Sequence, residues 1–390
     1  MNKIPLAIVY TCIIISISLG YGCDQGDESR PRPDARVSSR LSELLAPDDL
    51  DAYPLALEPR EFRFPEDHGP HPEYRNEWWY VTGNLDSAGG KRFGFELTIF
   101  RFALAPVAGE EQETTTSAWA ARQVYIGHFA VTDVDAEQFH VAQRYARGAV
   151  GLAGAESRPL RVWVEDWHLQ DAPAGRGGWN LYAAEQGVEL SVSLEALKAP
   201  VLNGIDGLSQ KSSARGNASY YYSVPRLRAL GFVSIAGDRH EVAGLAWLDR
   251  EWGSSALSRE QEGWDWFALQ LSDGSDLMYY SLRRTDGKDD PHSAGTWMPG
   301  EGESMYLSRD DVTIEVRDFW DSPQGARYPM AWTITIPRLD LELQVDPVLE
   351  AQELHTGVRY WEGAVDVGGI RSGRAVDGRG YVELTGYARD

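Results

Sequence analysis

The chain has 390 residues, and its 59 acidic residues outnumber its 37 lysines and arginines, which leaves a formal net charge of −22. Nucleic acids are bound by surfaces rich in Lys and Arg, so this balance excludes a basic nucleic-acid-binding protein. A content of 43% hydrophobic and 25% charged residues is typical of a globular protein and excludes a disordered or polytopic membrane chain. The length favours two domains, each with its own core.

The first residues have the pattern of an export signal. Lys3 precedes an apolar run of sixteen residues, 4–19, which is short for a membrane span and typical of a cleaved signal peptide. The residues before Cys23 resemble the processing box of bacterial lipoproteins, with Leu19 one position earlier than usual. We therefore predict a signal peptide at 1–22, export across the bacterial inner membrane, and a lipid anchor at Cys23 in the cell envelope. The alternative is an ordinary secretory signal with an incidental cysteine.

A polar segment that contains several prolines follows the predicted anchor. We interpret residues 23–58 as the lipidated cysteine and a flexible tether. The two cysteines of the chain are Cys12 and Cys23, so the body of the protein contains no disulfide framework.

The rest of the chain consists of short segments in which apolar and polar residues alternate, separated by Gly, Asp and Asn turn residues. Helical patterns are rare, and the candidates are 39–45 and 258–262. Strands spaced in this way favour an all-β fold of antiparallel barrels or sandwiches, because closing a sheet removes its exposed edges. We predict an N-terminal barrel at 59–230 and a C-terminal barrel at 231–390.

Three of these segments combine aromatic and charged residues, at 74–80, 247–252 and 263–267. A pocket walled by aromatic rings with a few fixed polar groups is how proteins bind small apolar ligands. We therefore expect an apolar ligand, an isoprenoid or an acyl lipid, to contact six aromatic side chains. These are Trp78, Tyr80, Trp247, Trp252, Trp264 and Trp266. The alternative is that the rings only fill the interior of a large barrel.

Charged residues on the same segments are the candidates for chemistry. Alternation along 247–252 places Asp249 and Glu251 on one face of a strand and Arg250 on the other. A charge inside a barrel must be paired, so we expect Arg250 to form an ion pair with one of three acids. These are Glu77, Glu96 and Asp265. Such a pair is either a structural element of the fold or part of a catalytic site.

Several other chemistries lack their motifs in this sequence. No Gly-x-Ser-x-Gly nucleophile elbow occurs, and the eight histidines show no His-Glu-x-x-His spacing. Gly-rich phosphate loops that open a helix are also absent. We therefore expect neither a metal nor a nucleotide or other cofactor.

Seven segments, taken in chain order, resemble the carotenoid 1,2-hydratase-like family, also described as AttH-type proteins and often labelled predicted secreted hydrolases. They include Asn-Glu-Trp-Trp-Tyr at 76–80 and Trp-Leu-Asp-Arg-Glu-Trp-Gly at 247–253. All seven lie at 76–83, 128–133, 218–223, 244–253, 263–267, 360–364 and 380–387. The resemblance covers nearly all of the chain from Phe62 onward and implies two consecutive lipocalin-like (calycin) barrels, in agreement with the strand pattern.

The resemblance also implies an activity. Hydratases of this family add water to the terminal double bond of an acyclic carotenoid, which requires a proton donor in a dry apolar cavity. Where these enzymes carry a catalytic His and Asp, this chain carries Arg250 and Ser281. Arginine stays protonated and serine is not an acid near neutral pH, so neither replaces the family's proton donor. We therefore predict first a protein that binds an apolar ligand.

The main alternative is a hydro-lyase that hydrates or isomerises an isoprenoid alkene by acid catalysis. Its candidate catalytic residues are Asp249, Arg250, Glu251, Asp265 and Tyr280. A secreted hydrolase is a second alternative, for which the sequence shows no nucleophile. A purely structural envelope protein, whose barrels are filled with side chains, is a third. The expected partners are the apolar ligand and, through Cys23, a membrane.

Overall fold

Antiparallel strands make up nearly all the regular structure of the computed structural model, which describes residues 52–106, 121–173, 177–254, 257–258 and 260–388. The predicted signal peptide, Cys23, the candidate helix at 39–45 and most of the predicted tether lie outside the described residues. Described 3₁₀ turns lie at Glu66–His68, Arg309–Asp311 and Pro337–Leu339. No helix in the described ranges is long and apolar enough to cross a bilayer. The prediction of an all-β fold is confirmed.

Within the described ranges, the first sheet holds thirteen strands. They are β1 (Asn76–Ser87), β2 (Arg92–Ala103), β3 (Gln123–Asp133), β4 (Gln138–Arg147), β5 (Ala153–Ser157), β6 (Leu160–Val164), β7 (Trp167–Asp171), β8 (Trp179–Glu185), β9 (Val188–Ala196), β10 (Val201–Leu202), β11 (Leu208–Gln210), β12 (Ala218–Ile235) and β13 (Asp238–Gly253). Their order is β4-β3-β2-β1-β13-β12-β9-β8-β7-β6-β5, and β10 and β11 pair with β12. The sheet curls into a barrel-like form, in which β6 lies against β2, β3 and β4.

The second sheet, counted over the described part of the chain, holds ten strands. They are β14 (Gln261–Leu271), β15 (Asp276–Arg284), β16 (Ala294–Met298), β17 (Met305–Ser308), β18 (Thr313–Asp321), β19 (Arg327–Ile336), β20 (Leu341–Pro347), β21 (Glu353–His355), β22 (Arg359–Arg371) and β23 (Arg374–Leu384). Their order is β17-β16-β15-β14-β23-β22-β20-β19-β18, and β21 pairs with β22. Two curled antiparallel sheets that follow each other along the chain confirm the predicted double-barrel architecture.

The period of two along each strand produces three large hydrophobic layers in the described part of the chain, besides a small cluster of Leu354, Val358 and Tyr360. In β1, Trp79, Val81 and Leu85 point into the first barrel, while Trp78 and Tyr80 point out of it. A second layer fills the interior of the second sheet. The third layer lies between the two barrels, where the outward-facing residues of β1, β12 and β13 meet those of β14 and β15. The barrels therefore pack through a hydrophobic layer of their own.

The longest strands, β12 and β13, form one hairpin. Its two-residue turn consists of Ala236 and Gly237, which both have positive φ angles, of 51° and 88°. Two such residues form the type I′ turn that matches the twist of the paired strands. The hairpin places β13 beside β1, with Asn76 opposite Gly253.

The division between the sheets differs from the predicted one. The predicted boundary at 230/231 falls inside β12, and β13, which we had assigned to the second barrel, pairs with β1 in the first. The sheets divide between Gly253 and Gln261. Alternation identifies a strand but not its partner, so the sequence pattern could not show this pairing. Both sheets belong to one compact unit. The candidate helix at 258–262 was also wrong, because β14 begins there at Gln261.

A cavity between the two barrels as the candidate functional site

A cavity opens in the hydrophobic layer between the barrels. Its volume is about 70 Å³. Strands β1, β2, β12 and β13 line it from one side, and β14, β15 and β23 from the other. The lining side chains are Trp78, Tyr80, Phe100, Lys211, Tyr221, Asp249, Glu251, Leu257, Trp264, Trp266, Tyr280, Leu282 and Glu383. Seven of the predicted site residues are thus brought together, outside both barrel interiors.

Asp249 is the carboxyl group that the cavity wall holds most closely. It is 3% exposed, and its Oδ1 accepts hydrogen bonds from the Ser223 hydroxyl at 2.5 Å and the Trp247 indole N–H at 2.6 Å. The Tyr221 hydroxyl donates to Oδ2. Tyr221 in turn accepts from the indole N–H of Trp266 at 3.0 Å. The carboxyl group is therefore held in one orientation, with the Tyr221 hydroxyl bonded to it.

Burial decides the protonation of this group. Removal from water raises the pKa of Asp249 to about 7, even though the hydrogen bonds from Ser223, Tyr221 and Trp247 work to lower it. The nearby charge of Glu251 raises the pKa further. Near neutral pH the acid and its carboxylate are therefore both populated.

A second carboxyl group of the cavity lies on the opposite sheet. Burial raises the pKa of Glu383 to about 8, and the Trp264 side chain lowers it in part by a hydrogen bond. Glu383 lies opposite Trp266 on β14 and opposite Glu362 on β22. The cavity thus contains a carboxyl group from each sheet that holds its proton more tightly than an exposed acid does.

Among the described residues, one cationic side chain lines the cavity. The ammonium of Lys211 lies 3.0 Å from Glu251 Oε1 and 4.2 Å from the centroid of the Tyr280 ring. Burial works to lower the pKa of Lys211, but Glu251, together with Tyr280 and Asp249, outweighs burial and the net shift is upward. Ser219 also donates to Glu251. Lys211 and Glu251 therefore form a buried ion pair in an otherwise aromatic wall.

Further buried acids continue from the cavity between the sheets. The Tyr80 hydroxyl donates to Glu362 Oε2 at 2.7 Å, and Glu362 Oε1 has no hydrogen-bond partner among the described residues. Burial and the neighbouring acids Glu383 and Glu96 raise the pKa of Glu362 well above its ordinary value. Burial raises the pKa of Glu96 to about 8. These acids are held in their neutral form.

Arg250 does not reach the cavity. Its guanidinium lies in the first barrel, 3.1 Å from Glu77 Oε2 and 3.9 Å from the centroid of the Trp79 ring. Glu77 also binds Arg101, and the two guanidinium groups hold the pKa of Glu77 far below its usual range even though burial opposes them. Trp252 lies on the same face of β13 as Arg250, and its ring stacks on that of His71 with the centroids 3.7 Å apart. The expected pair with Glu77 exists. Neither Arg250 nor Trp252 lines the cavity, and their predicted roles in catalysis and ligand binding stay predictions.

Asp265 is also turned away from the cavity. It pairs with Arg283 and accepts from the Tyr387 hydroxyl at 3.0 Å. Its neighbours Trp264 and Trp266 line the cavity, so strand alternation points Asp265 to the other face of β14. Ser281 is likewise offset by one residue from Tyr280 and does not line the cavity. The structure places neither residue in the cavity lining, and the predicted catalytic role of Asp265 stays a prediction.

Two other predicted residues lie at the cavity in supporting roles. Trp247 is buried behind the wall, where its indole N–H donates to Asp249. Its ring and that of Trp266 pack edge to face, with their centroids 6.4 Å apart. Tyr280 lines the cavity, and its hydroxyl shares a hydrogen bond with Ser209 at 2.8 Å.

Sequence reasoning missed several lining residues, among them Tyr221, Glu383 and Lys211. Tyr221 and Glu383 lie in segments that carry the family resemblance, so the signal was present but gave them no role. Lys211 follows β11 in a loop, where no periodic pattern marks a side chain as buried. Over the residues that the structure describes, no group of three or more His, Cys, Asp or Glu side chains is placed to hold a metal ion.

These features define a class of protein: two antiparallel barrels of the lipocalin-like type, with an aromatic cavity and buried carboxyl groups between them. The sequence profile of the AttH-like family matches residues 55–387, and the chain belongs to this family. A Nitrosomonas europaea protein described as an AttH, whose crystal structure is known, is 33% identical and superposes with a TM-score of 0.76. That match covers 86% of this chain and 100% of the other.

Two relatives have names that state a reaction. The crystal structure of kievitone hydratase from Nectria haematococca has the same fold, with 15% identity, a TM-score of 0.64 and coverage of 85% of this chain and 98% of that one. The dehydratase asqC of Emericella nidulans is 23% identical over an alignment of 209 residues, which covers 50% of this chain and 58% of that protein. The match to the dehydratase therefore spans little more than half of its length.

Proposed function

We propose that this protein is an enzyme that adds water to, or removes water from, an apolar ligand held in the cavity between the barrels. The observation that carries the proposal is the Asp249 carboxyl group, buried in an aromatic wall and fixed by three hydrogen-bond donors. The similarity to a dehydratase and the fold shared with a hydratase support the class of reaction.

Asp249 is suited to give and take a proton at neutral pH. A catalytic acid or base works best when its pKa is near the working pH, and that of Asp249 is about 7. The hydroxyl of Tyr221 joins the carboxyl group to the cavity, so a proton can pass through it to or from the ligand. Exclusion of bulk water keeps this proton in place until the ligand takes it up.

The walls favour an apolar ligand. Trp78, Trp264, Trp266 and Phe100 present ring faces and edges, which bind hydrocarbon by burying its surface. The charge of Lys211 is balanced by Glu251, so the cavity carries little of the negative charge of the whole chain. An isoprenoid or acyl chain fits this chemistry.

The experiment supplies the full chain with an extract of isoprenoid and acyl lipids in water labelled with a heavy oxygen isotope. Mass spectrometry should find a product that has gained one labelled water, and Asp249→Asn should lower its formation by about a hundredfold or more. Exposed Glu262→Gln is the matched control and should leave it unchanged. Equal product from Asp249→Asn and the wild type would remove Asp249 from the mechanism.

A second candidate is a carrier that binds an apolar ligand without changing it. Arg250 and Ser281, which stand where the family's catalytic His and Asp are expected, both lie outside the cavity. Under this alternative the retained ligand is recovered from the protein chemically unchanged, and Asp249→Asn alters only its affinity.

We propose separately that the chain is exported and carries an acyl anchor at Cys23. The apolar run at 4–19 and the small residues before the cysteine support this proposal. Labelled palmitate should be incorporated into the wild-type chain in bacterial cells and not into Cys23→Ser. Incorporation into both, or into neither, would contradict the anchor.

A further inference from the structure

We propose that the reacting double bond of the substrate is conjugated to a carbonyl group, and that the ammonium of Lys211 binds the carbonyl oxygen. The substrate is then an α,β-unsaturated carbonyl compound, and the product is its β-hydroxy counterpart. This inference rests on the proposed function and names the chemical class on which that function acts.

Both backbone polar groups of Lys211 form hydrogen bonds that fix its position. Its N–H donates to the carbonyl of Asn217 at 2.9 Å, and its carbonyl accepts from the Gln261 side chain at 2.6 Å. The side chain is 8% exposed, so the ammonium cannot be hydrated as a surface lysine is. The cation is thus part of the cavity wall.

The ammonium has donor capacity that the described residues of the wall do not use. A lysine carries three N–H donors, and Glu251 takes one at 3.0 Å. Toward the cavity the ammonium faces the rings of Tyr280, at 4.2 Å, and Tyr221, at 5.3 Å. Ring faces attract a cation but do not replace a hydrogen-bond acceptor. A ligand oxygen above these rings would accept a charge-assisted hydrogen bond from Lys211.

A pure hydrocarbon ligand would not explain why the Lys211–Glu251 ion pair is buried in the cavity wall. Burying two charges costs several kcal/mol of desolvation each, and apolar residues in their place are often neutral or stabilising. Lys211 and Glu251 stand in a wall made largely of Trp, Tyr, Phe and Leu side chains. Their presence is explained if the bound ligand brings an oxygen on which negative charge develops.

The raised pKa of Asp249 also favours a substrate with a conjugated carbonyl group. An isolated alkene is a very weak base, and a carboxyl group that holds its proton more tightly than usual is poorly suited to protonate it. A conjugated carbonyl removes this difficulty, because the electrons of the double bond move onto oxygen beside a cation. The ring of Tyr221 lies between Lys211 and Asp249, with its centroid 5.3 Å from the ammonium and its hydroxyl bonded to the carboxyl group. The carbonyl and the reacting carbon of one small ligand can lie along that ring.

The reaction balances without a further reagent. In hydration, the oxygen of water forms a bond to the β-carbon and its proton passes to the Asp249 carboxylate. The electron pair of the double bond moves onto the carbonyl oxygen, where Lys211 stabilises the enolate. The enolate collapses to the carbonyl as the α-carbon takes a proton from Glu383, and a proton returns from Asp249 to Glu383. Dehydration runs through the same steps in reverse.

Two small probes test the oxygen contact directly. They are benzylideneacetone, an enone, and its hydrocarbon analogue, in which a methylene replaces the carbonyl. Quenching of tryptophan fluorescence reports binding, because Trp78, Trp264 and Trp266 line the cavity. Wild-type protein should bind the enone about tenfold or more tightly than the hydrocarbon. The absorption band of the enone should also shift to longer wavelength.

Lys211→Met leaves Glu251 as an unpaired buried charge, so the double variant Lys211→Met/Glu251→Gln is measured as well. It should bind both probes within about twofold of each other, while exposed Lys288→Met keeps the wild-type preference. Equal binding of both probes by the wild type would overturn this inference and leave the proposed function intact. A preference that persists in the double variant would overturn the role of Lys211. Binding of neither probe would count against the cavity as an apolar site, and so against both proposals.

Discussion

Asp249 shows how burial and hydrogen bonding compete for one carboxyl group. Three donors, from Ser223, Tyr221 and Trp247, stabilise its charged form, while loss of hydration stabilises its neutral form. Burial prevails, but the donors keep the pKa near 7. The same donors fix the carboxyl group against the cavity, so they tune and orient it together.

Removing one donor should move this balance in a known direction. Tyr221→Phe takes a hydrogen bond from the charged form, so the pKa of Asp249 should rise above about 7. The Trp247 indole, which donates to Asp249, provides the fluorescence signal for a pH titration. Tyr220→Phe is the control, because the Tyr220 hydroxyl donates to the Glu58 carbonyl instead. A lower titration midpoint in Tyr221→Phe than in the wild type would contradict the role of Tyr221 in stabilising the Asp249 carboxylate.

Arg250 belongs to the stability of the first barrel. Its guanidinium donates to the carbonyls of Trp78 and Gly69, each at 2.6 Å, and to Glu77 at 3.1 Å. Arg250→Met should therefore lower the free energy of unfolding by about 3–5 kcal/mol. Arg228→Met, which breaks an exposed pair with Glu195, should cost at most about 1 kcal/mol. Urea unfolding measures both, and similar losses would contradict a structural role for Arg250.

At the scale of elements, the packing of the two barrels depends on a close approach between β2 and β22. A methyl group added at Gly94 would lie 2.6 Å from the Cβ of Ala364, well inside van der Waals contact. Small residues at this point let the outer faces of the sheets meet.

Gly94→Ala should therefore destabilise the protein by about 1–3 kcal/mol through overpacking. Ala364→Gly removes the opposing methyl group, so the double variant should recover most of that loss. Thermal unfolding measures the stability of the wild type, the two single variants and the double variant, which together form a double-mutant cycle. Additive losses would show that these residues do not limit the distance between the strands.

Strand alternation accounts for most of what could be predicted at this scale. It placed Asp249 and Glu251 on one face of β13 and Arg250 on the other, as the structure shows. The same rule separates Asp265 from Trp264 and Trp266, but we grouped all three into one site. Alternation gives the face of each residue and leaves open which neighbouring element that face meets.

For the whole molecule, buried acids make stability depend on pH. Burial raises the pKa of Glu96 and of Glu383 to about 8 from a usual 4.5, so the folded protein binds protons that the unfolded chain has released. Stability then falls as the pH rises from about 4.5 to about 8, because the folded state must either keep these protons or bury a charge.

An amide in place of one acid should flatten this dependence. Glu96→Gln cannot ionise, so at pH 8 it should be more stable than the wild type by about 2 kcal/mol or more. The difference should shrink as the pH falls below 4.5, where Glu96 is protonated in both states. Exposed Glu342→Gln is the control. Parallel plots of unfolding temperature against pH for Glu96→Gln and the wild type would contradict the account.

The sequence by itself determined the class of fold and the membership of the family. Alternation and turn residues are local properties, so they show strands and faces without any knowledge of the partner strands. The clustering of aromatic and charged residues, and for Tyr280 the family resemblance, identified seven of the side chains that line the cavity.

The tertiary structure alone decided where the cavity lies and which charges face it. The cavity is formed by the outer faces of two sheets, and Lys211 enters it from a loop while Glu383 enters from a strand 172 positions further along the chain. Strand pairing and the packing of one sheet on another are contacts between distant residues. They depend on the burial and close packing of the whole chain, which no local pattern contains.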